Sequence, residues 1–226
     1  MNTYRNNTRV AGILIITGML AGVLSVVPVI DSADYLMKAA GKSNQVLMGA
    51  IFHFIMSIAY IGMAISLYPI LKEHNKSLAL GFLSFRIIAT VFLIMGVLSL
   101  VLLLFVSREY VKAPTSDLAY LKTIGDLLRS GRDLSNHVAM IISLNIGGIM
   151  FYVLLFQTRL IPKWLSAWGF IGATLAIAAS LLVMFSVVEI ITPFYIALNV
   201  PVALQELILA LWLIVKGFEM DEKLAT

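Results

Sequence analysis

Six stretches of the chain are long and nearly free of charge: about 10–30, 45–71, 78–106, 135–157, 164–187 and 194–216. About 20 apolar residues in a helix cross the hydrocarbon core of a bilayer. Backbone N–H and C=O groups meet no water there, so a crossing stretch must pair them internally as a helix. The pattern therefore predicts an all-α polytopic membrane protein, with six transmembrane helices in a single bundle over residues 1–226. Composition agrees, with 61% of residues hydrophobic and only 12% charged. A soluble domain has about 45–50% apolar and about 25% charged residues, so a soluble core is excluded. The absence of cysteine removes disulfides, thiolate metal sites and cysteine nucleophiles.

The first stretch follows Arg5 and Arg9, as the core of a signal peptide would. It is longer than such a core and ends in Pro28 and Asp31 with no A-x-A site. An uncleaved first helix is expected. The net charge is +4, and the basic residues sit at helix ends rather than in one block. They are topology signals, and no nucleic-acid partner is expected. With the N-terminus inside, the inner segments carry Arg5, Arg9, Lys72, Lys76, Arg86, Arg159, Lys163, Lys216 and Lys223. The outer segments carry Lys38, Lys42, Arg108, Lys112, Lys122, Arg129 and Arg132, five of them in one long loop beside several acids. The bias among the short connections places both termini in the cytoplasm. Trp164 and Trp168 stand at the start of the fifth helix as interfacial anchors.

The long outer connection, residues 107–136, has its own pattern. Pro114 and Thr115 signal a helix start and Gly131 a stop. Between them Tyr120, Leu121, Ile124, Leu127 and Leu128 share one helical face, with Lys122, Asp126 and Arg129 on the other. An amphipathic segment is expected over about 115–130. It would be either a lid over the outer mouth or a plain cover for the bundle end. In the first helix, Gly18 and Gly22 form a small-xxx-small pair that suits either packing within the subunit or dimerisation.

Ionisable residues inside a bilayer are expensive and mark candidate sites. Two layers stand out. The inner one pairs Arg86 with Glu206. Arg86 lies ten residues after Lys76, and Glu206 lies ten before Lys216. At 1.5 Å per residue both are about 15 Å from the inner boundary, so the third and sixth helices can bring them together. The pair is either a structural tie or a ligand- or proton-handling site, and Arg86 could instead snorkel to the interface. Asn199, Ala203, Glu206 and Ala210 give the sixth helix a small-polar seam, beside a kink expected at Pro201. The outer layer holds His53, with Tyr60 on the same face, together with His137 and Asn145. Two histidines on different helices raise a haem or metal reading, but a metal site usually needs three or more ligands. No metal site, no cofactor and no catalytic residue are assigned. The motifs H-E-x-x-H, G-x-S-x-G, the Walker loop and a potassium-type filter are all absent.

RVAGILIITGMLAGVLS at the start, FRIIAT at Phe85, RLIPKWLSAWGFIGA at Arg159 and QELILALWLIVKGF at Gln205 resemble the bacterial domain-of-unknown-function family 4386. The resemblance runs in order over nearly the whole chain, and the closing string is its most specific piece. It implies a bacterial inner-membrane protein with about six helices. It also places Arg86, His137, Pro162, Glu206, Trp212, Lys216 and Gly217 at recurrent positions, and it implies no established activity.

The leading functional expectation is a non-enzymatic protein that binds a small apolar or amphipathic ligand, such as a lipid or quinone-like molecule. The candidate residues are Arg86, Glu206, His53, Tyr60, Asn145, His137 and Asn199. Transport, sensing or immunity to a membrane-active compound would each fit. One alternative is an intramembrane enzyme or haem carrier using His53, His137 and Glu206. The other is a structural subunit docking a membrane partner or a second copy of itself.

Overall fold

The computed structural model describes residues 2–219; Lys223, counted above among the inner basic residues, lies outside them. Among the described residues every regular element is helical. Helix α1 covers Asn2–Leu24, α2 Tyr35–Gly41, α3 Ser43–His74, α4 Lys76–Tyr110, α5 Leu118–Asp133, α6 Met140–Thr158, α7 Lys163–Met184 and α8 Pro193–Val215. Six helical stretches are long and apolar enough to cross a membrane, built on α1, α3, α4, α5–α6, α7 and α8. The protein is a multipass membrane protein.

The ends of these helices follow local chemistry. α1 stops six residues before the expected boundary. Proline disfavours helical backbone at the residue before it, and Val27, before Pro28, sits at φ −120° and ψ 81°. A short 3-10 turn, Pro28–Asp31, follows and buries Val29 and Ile30. Between α3 and α4 there is one residue, Asn75, whose side chain accepts the Leu78 N–H at 3.0 Å. That N-cap satisfies a donor the first turn of α4 would otherwise leave free. Thr192 caps α8 in the same way, ahead of Pro193 at the first helical position.

The long connection departs from expectation at its far end. The helix starts after Pro114, as the sequence suggests, but Gly131 does not stop it. α5 runs into a π-helical turn, Leu134–Ala139, and from there directly into α6. The amphipathic segment is thus a continuation of the fourth span. A glycine alone weakens a helix by only about 1 kcal/mol, and the packing of Gly125 and Arg132 on either side outweighs that.

Each span packs on the next one in sequence, and α8 returns to α1, so α1, α3, α4, α6, α7 and α8 form a closed ring. Short connections alternate their direction and put both termini at one end. Here that end is called the terminal end, and the other the capped end. The capped end carries the Pro28–Asp31 turn, α2 and α5, the last two packed against α4. Inside the terminal half, Phe82 stacks on Phe151 with ring centroids 4.6 Å apart, among Leu67, Leu71, Leu154, Leu209 and Leu213. The outward faces are apolar too, with Ile13, Ile58, Leu98, Ile171 and Leu211 exposed. Two apolar faces on one helix suit a helix bounded by protein on one side and hydrocarbon on the other.

Small residues set how closely the ring is drawn. Gly18 and Gly22 both face α3, Gly18 against Tyr60 and Gly22 against Met56. The small-xxx-small pair is therefore used within the subunit. At Gly172, a Cβ would come within 2.9 Å of the Val202 backbone. That contact holds α7 and α8 closer than any side chain would allow.

Candidate functional site

The site is assembled from the faces of four helices that turn inward at one depth. α4 supplies Phe82 and, one turn on, Arg86. α8 supplies the adjacent Gln205 and Glu206. α3 supplies Tyr60, and α6 supplies Phe151 and Tyr152. The depth count from the two lysines holds: Arg86 Nη2 lies 3.6 Å from Glu206 Oε1. α4 and α8 are not neighbours in the ring, so this ion pair reaches across its interior. Arg86 does not snorkel. The residue is 2% exposed, whereas the Glu206 side chain keeps 19%.

Arg86 is poorly satisfied. A guanidinium has five N–H donors, yet among the described residues Nε is buried without a partner and the Nη2 contact to Glu206, at 3.6 Å, is too long for a hydrogen bond. Its other neighbours are rings, with the guanidinium carbon 5.5 Å from the Tyr60 centroid and 5.4 Å from that of Phe82. At 3.6 Å the pair attracts by about 4–5 kcal/mol at an effective dielectric near 20. Two cation–π contacts add about 2 kcal/mol or more each when desolvated. Taking two ions out of water costs several kcal/mol apiece, and this is recovered in full only with good geometry and added hydrogen bonds. Those hydrogen bonds are missing. By contrast, the polar chain beside the pair is complete. Tyr152 Oη donates to Gln205 Oε1 at 2.7 Å, and Gln205 Nε2 donates to the Leu165 carbonyl at 3.1 Å. Neither Tyr152 nor Gln205 stood out in the sequence; the position of Gln205 beside Glu206 was the available signal.

The remaining candidates lie elsewhere and are mostly occupied. His53 Nδ1 donates to the Gly49 carbonyl at 2.9 Å, Asn145 to that of Ile141 at 2.9 Å and Asn199 to that of Tyr195 at 2.9 Å, each within its own helix. His137 lies in the π turn. Its Nδ1 shares a 3.1 Å hydrogen bond with the Tyr195 hydroxyl, and its carbonyl accepts from Ser180 Oγ at 2.8 Å. A π turn carries one residue more than an α turn and disturbs the backbone ladder, which fits a carbonyl turned to a neighbouring helix. Thus the structure brings Arg86, Glu206 and Tyr60 together and leaves His53, Asn145, His137 and Asn199 outside that contact. Among the described residues no three His, Cys, Asp or Glu side chains converge as a metal site would require.

The family profile of the Domain of unknown function (DUF4386) matches residues 10–217, from the start of the first span to just past the last. The chain belongs to this family. No curated protein and no solved structure matches it. In this DUF4386 protein, then, the chemistry has to be read from the side chains themselves.

Two other features lie at the capped end. Arg132 Nη2 meets Asp31 Oδ1 at 2.6 Å, and Arg132 Nε donates to Asp133 Oδ1 at 2.8 Å. Tyr35 donates to Asp126 Oδ1 at 2.7 Å, and Arg129 lies over the Tyr35 ring and donates to the Asp31 carbonyl at 3.2 Å. Burial, followed by the Asp126 carboxylate, pushes the Tyr35 phenol above its ordinary value. These contacts pin the first connection to α5. Nearby, Ala33 to Lys38 with Tyr110 and Lys122 line a surface depression of about 320 Å³, which includes none of the bundle candidates.

Proposed function

We propose that this protein holds a small apolar or amphipathic molecule from the bilayer, with the polar head of that molecule at Arg86 and its body among the apolar side chains of the ring. One observation carries the reading: Arg86 is buried at mid-bundle, its nearest carboxylate contact is 3.6 Å long, and its Nε has no hydrogen-bond partner among the described residues. A head bearing oxygen acceptors would supply the missing hydrogen bonds. Charge-assisted bonds to a guanidinium are roughly twice as strong as neutral ones. Aromatic rings beside Arg86 suit a ligand with an apolar or flat body. Binding of this kind would serve transport, sensing or immunity to a membrane-active compound.

Location completes the proposal. Arg5, Arg9, Lys72, Lys76, Arg159, Lys163 and Lys216 gather at the terminal end, together with Trp164, Trp168 and Trp212. This supports placing both termini on the cytoplasmic side of a bacterial inner membrane. The test of binding is mass spectrometry of protein purified gently from its own membrane. A small molecule should co-purify with the wild type and be lost from Arg86→Met. If nothing co-purifies, and both Arg86→Met and Glu206→Gln alter only stability, the reading is wrong.

A further inference from the structure

We infer that the bound head is an anion and that it enters with one proton, which Glu206 takes up. This deepens the binding reading above and rests on it.

The groups that face the pair are few. From α4 comes Arg86, from α3 Tyr60 and from α6 Tyr152. Within the bilayer α1 contributes no ionisable side chain from residue 10 to 24, and α7 contributes none from 164 to 184. Tyr152 donates its proton to Gln205 and is occupied. One cation and one carboxylate therefore set the charge of the layer, and the empty site is neutral.

Arg86 prefers an anionic head for two reasons. Among the described residues it is the one cation in this layer, and its buried Nε has no hydrogen-bond partner. A guanidinium presents donors in a fork that matches two oxygens of a carboxylate, sulfonate or phosphate ester. An anion placed there would stand beside Glu206, which is 3.6 Å from the same guanidinium. Two negative charges sharing one cation out of water cannot both persist, and the carboxylate relieves this by protonation. The balance is simple. The head arrives as an anion, one proton comes from the solvent, Glu206 becomes a neutral carboxylic acid, and the layer stays neutral. Glu206 is the less buried partner of the pair, with Ala203, Leu204 and Leu207 beside it facing outward.

The probe is decanesulfonate, whose head stays anionic throughout the range in which a carboxylate titrates. It is added to the full-length protein in lipid nanodiscs, in weak buffer with a pH indicator. The wild type should take up about one proton per bound probe, and affinity should fall about tenfold per pH unit once empty-state Glu206 is ionised. Glu206→Gln should bind with no proton uptake and a flat pH profile, and Arg86→Met should not bind. Because proton uptake is read in the wild type, the inference can fail even where a variant does not fold. Binding without proton uptake overturns the coupling. Binding of decanol but not decanesulfonate overturns the anionic head. Both outcomes leave the binding reading standing. If neither probe binds and nothing co-purifies, the binding reading itself falls.

Discussion

Among the described residues two arginines are buried, and their surroundings differ in kind. Arg132, at the capped end, is 9% exposed and held by two short hydrogen-bonded carboxylate contacts, one to Asp31 in the first connection and one to its neighbour Asp133. Arg86, at mid-bundle, is more deeply buried yet touches one carboxylate at 3.6 Å and two aromatic faces. Burial does not distinguish the two; hydrogen-bond satisfaction does. Arg132 behaves as a fastener, because its neighbours meet its needs. Arg86 keeps unused donors where donors are most expensive to leave unused. A residue whose only role was to tie α4 to α8 would be expected to have the geometry that Arg132 has.

The sharpest way to break this contrast is to remove each arginine and compare the losses. Arg132→Ala should lower unfolding stability by about 2–4 kcal/mol, the lower part of the range for a broken buried pair, since Asp31 keeps some contact with solvent. Thermal unfolding in detergent would show it as a clear drop in Tm. In the mid-bundle layer, replacing both partners together, Arg86→Met with Glu206→Leu, should leave stability unchanged or raise it by about 1–2 kcal/mol while abolishing co-purification of a small molecule. A large loss of stability in that double variant would make the mid-bundle pair a fastener after all.

Smaller effects sharpen the fastener side. Tyr35→Phe removes one hydrogen bond to Asp126 and should cost about 1 kcal/mol. The pH profile follows from the raised phenol. The folded protein keeps the proton that the unfolded chain releases near pH 10, so this contribution is intact below about pH 10 and declines as pH rises above it. Wild type and Tyr35→Phe should therefore converge in stability at strongly alkaline pH. Least of all, Ser180→Ala should cost about 0.6 kcal/mol, the average for a polar contact between membrane helices. It should also loosen the π turn, seen as faster amide exchange around His137 in hydrogen–deuterium exchange.

Much of the fold was legible in the chain. The six spans, the terminal-end tryptophans and lysines, and the helix start at Pro114 all follow from local composition, because hydrocarbon thickness and proline stereochemistry act on short stretches. The matched depths of Arg86 and Glu206 were legible as well, since counting along a helix is counting in ångströms. Other features were not. The 3-10 turn after α1 is held by Val29 and Ile30 burying in the first connection, a contact that no single stretch shows. The passage through Gly131 depended on α5 finding α4 to pack on. Gly18 and Gly22 allowed two uses, and only their contact with Tyr60 and Met56 separates them.

The sequence by itself therefore determined that this is a multipass helical membrane protein of the DUF4386 family with a cation and a carboxylate at one depth. A hydrophobic stretch of that length and a charge at that position each have few physical solutions. The tertiary structure decided which helices touch, that the ring closes through α8 onto α1, and that Arg86 meets Glu206 beyond hydrogen-bond distance while Arg132 makes hydrogen bonds to two carboxylates. Those outcomes rest on how separate helices rotate and approach one another. That depends on the side chains of all partners at once and leaves no trace in any single stretch.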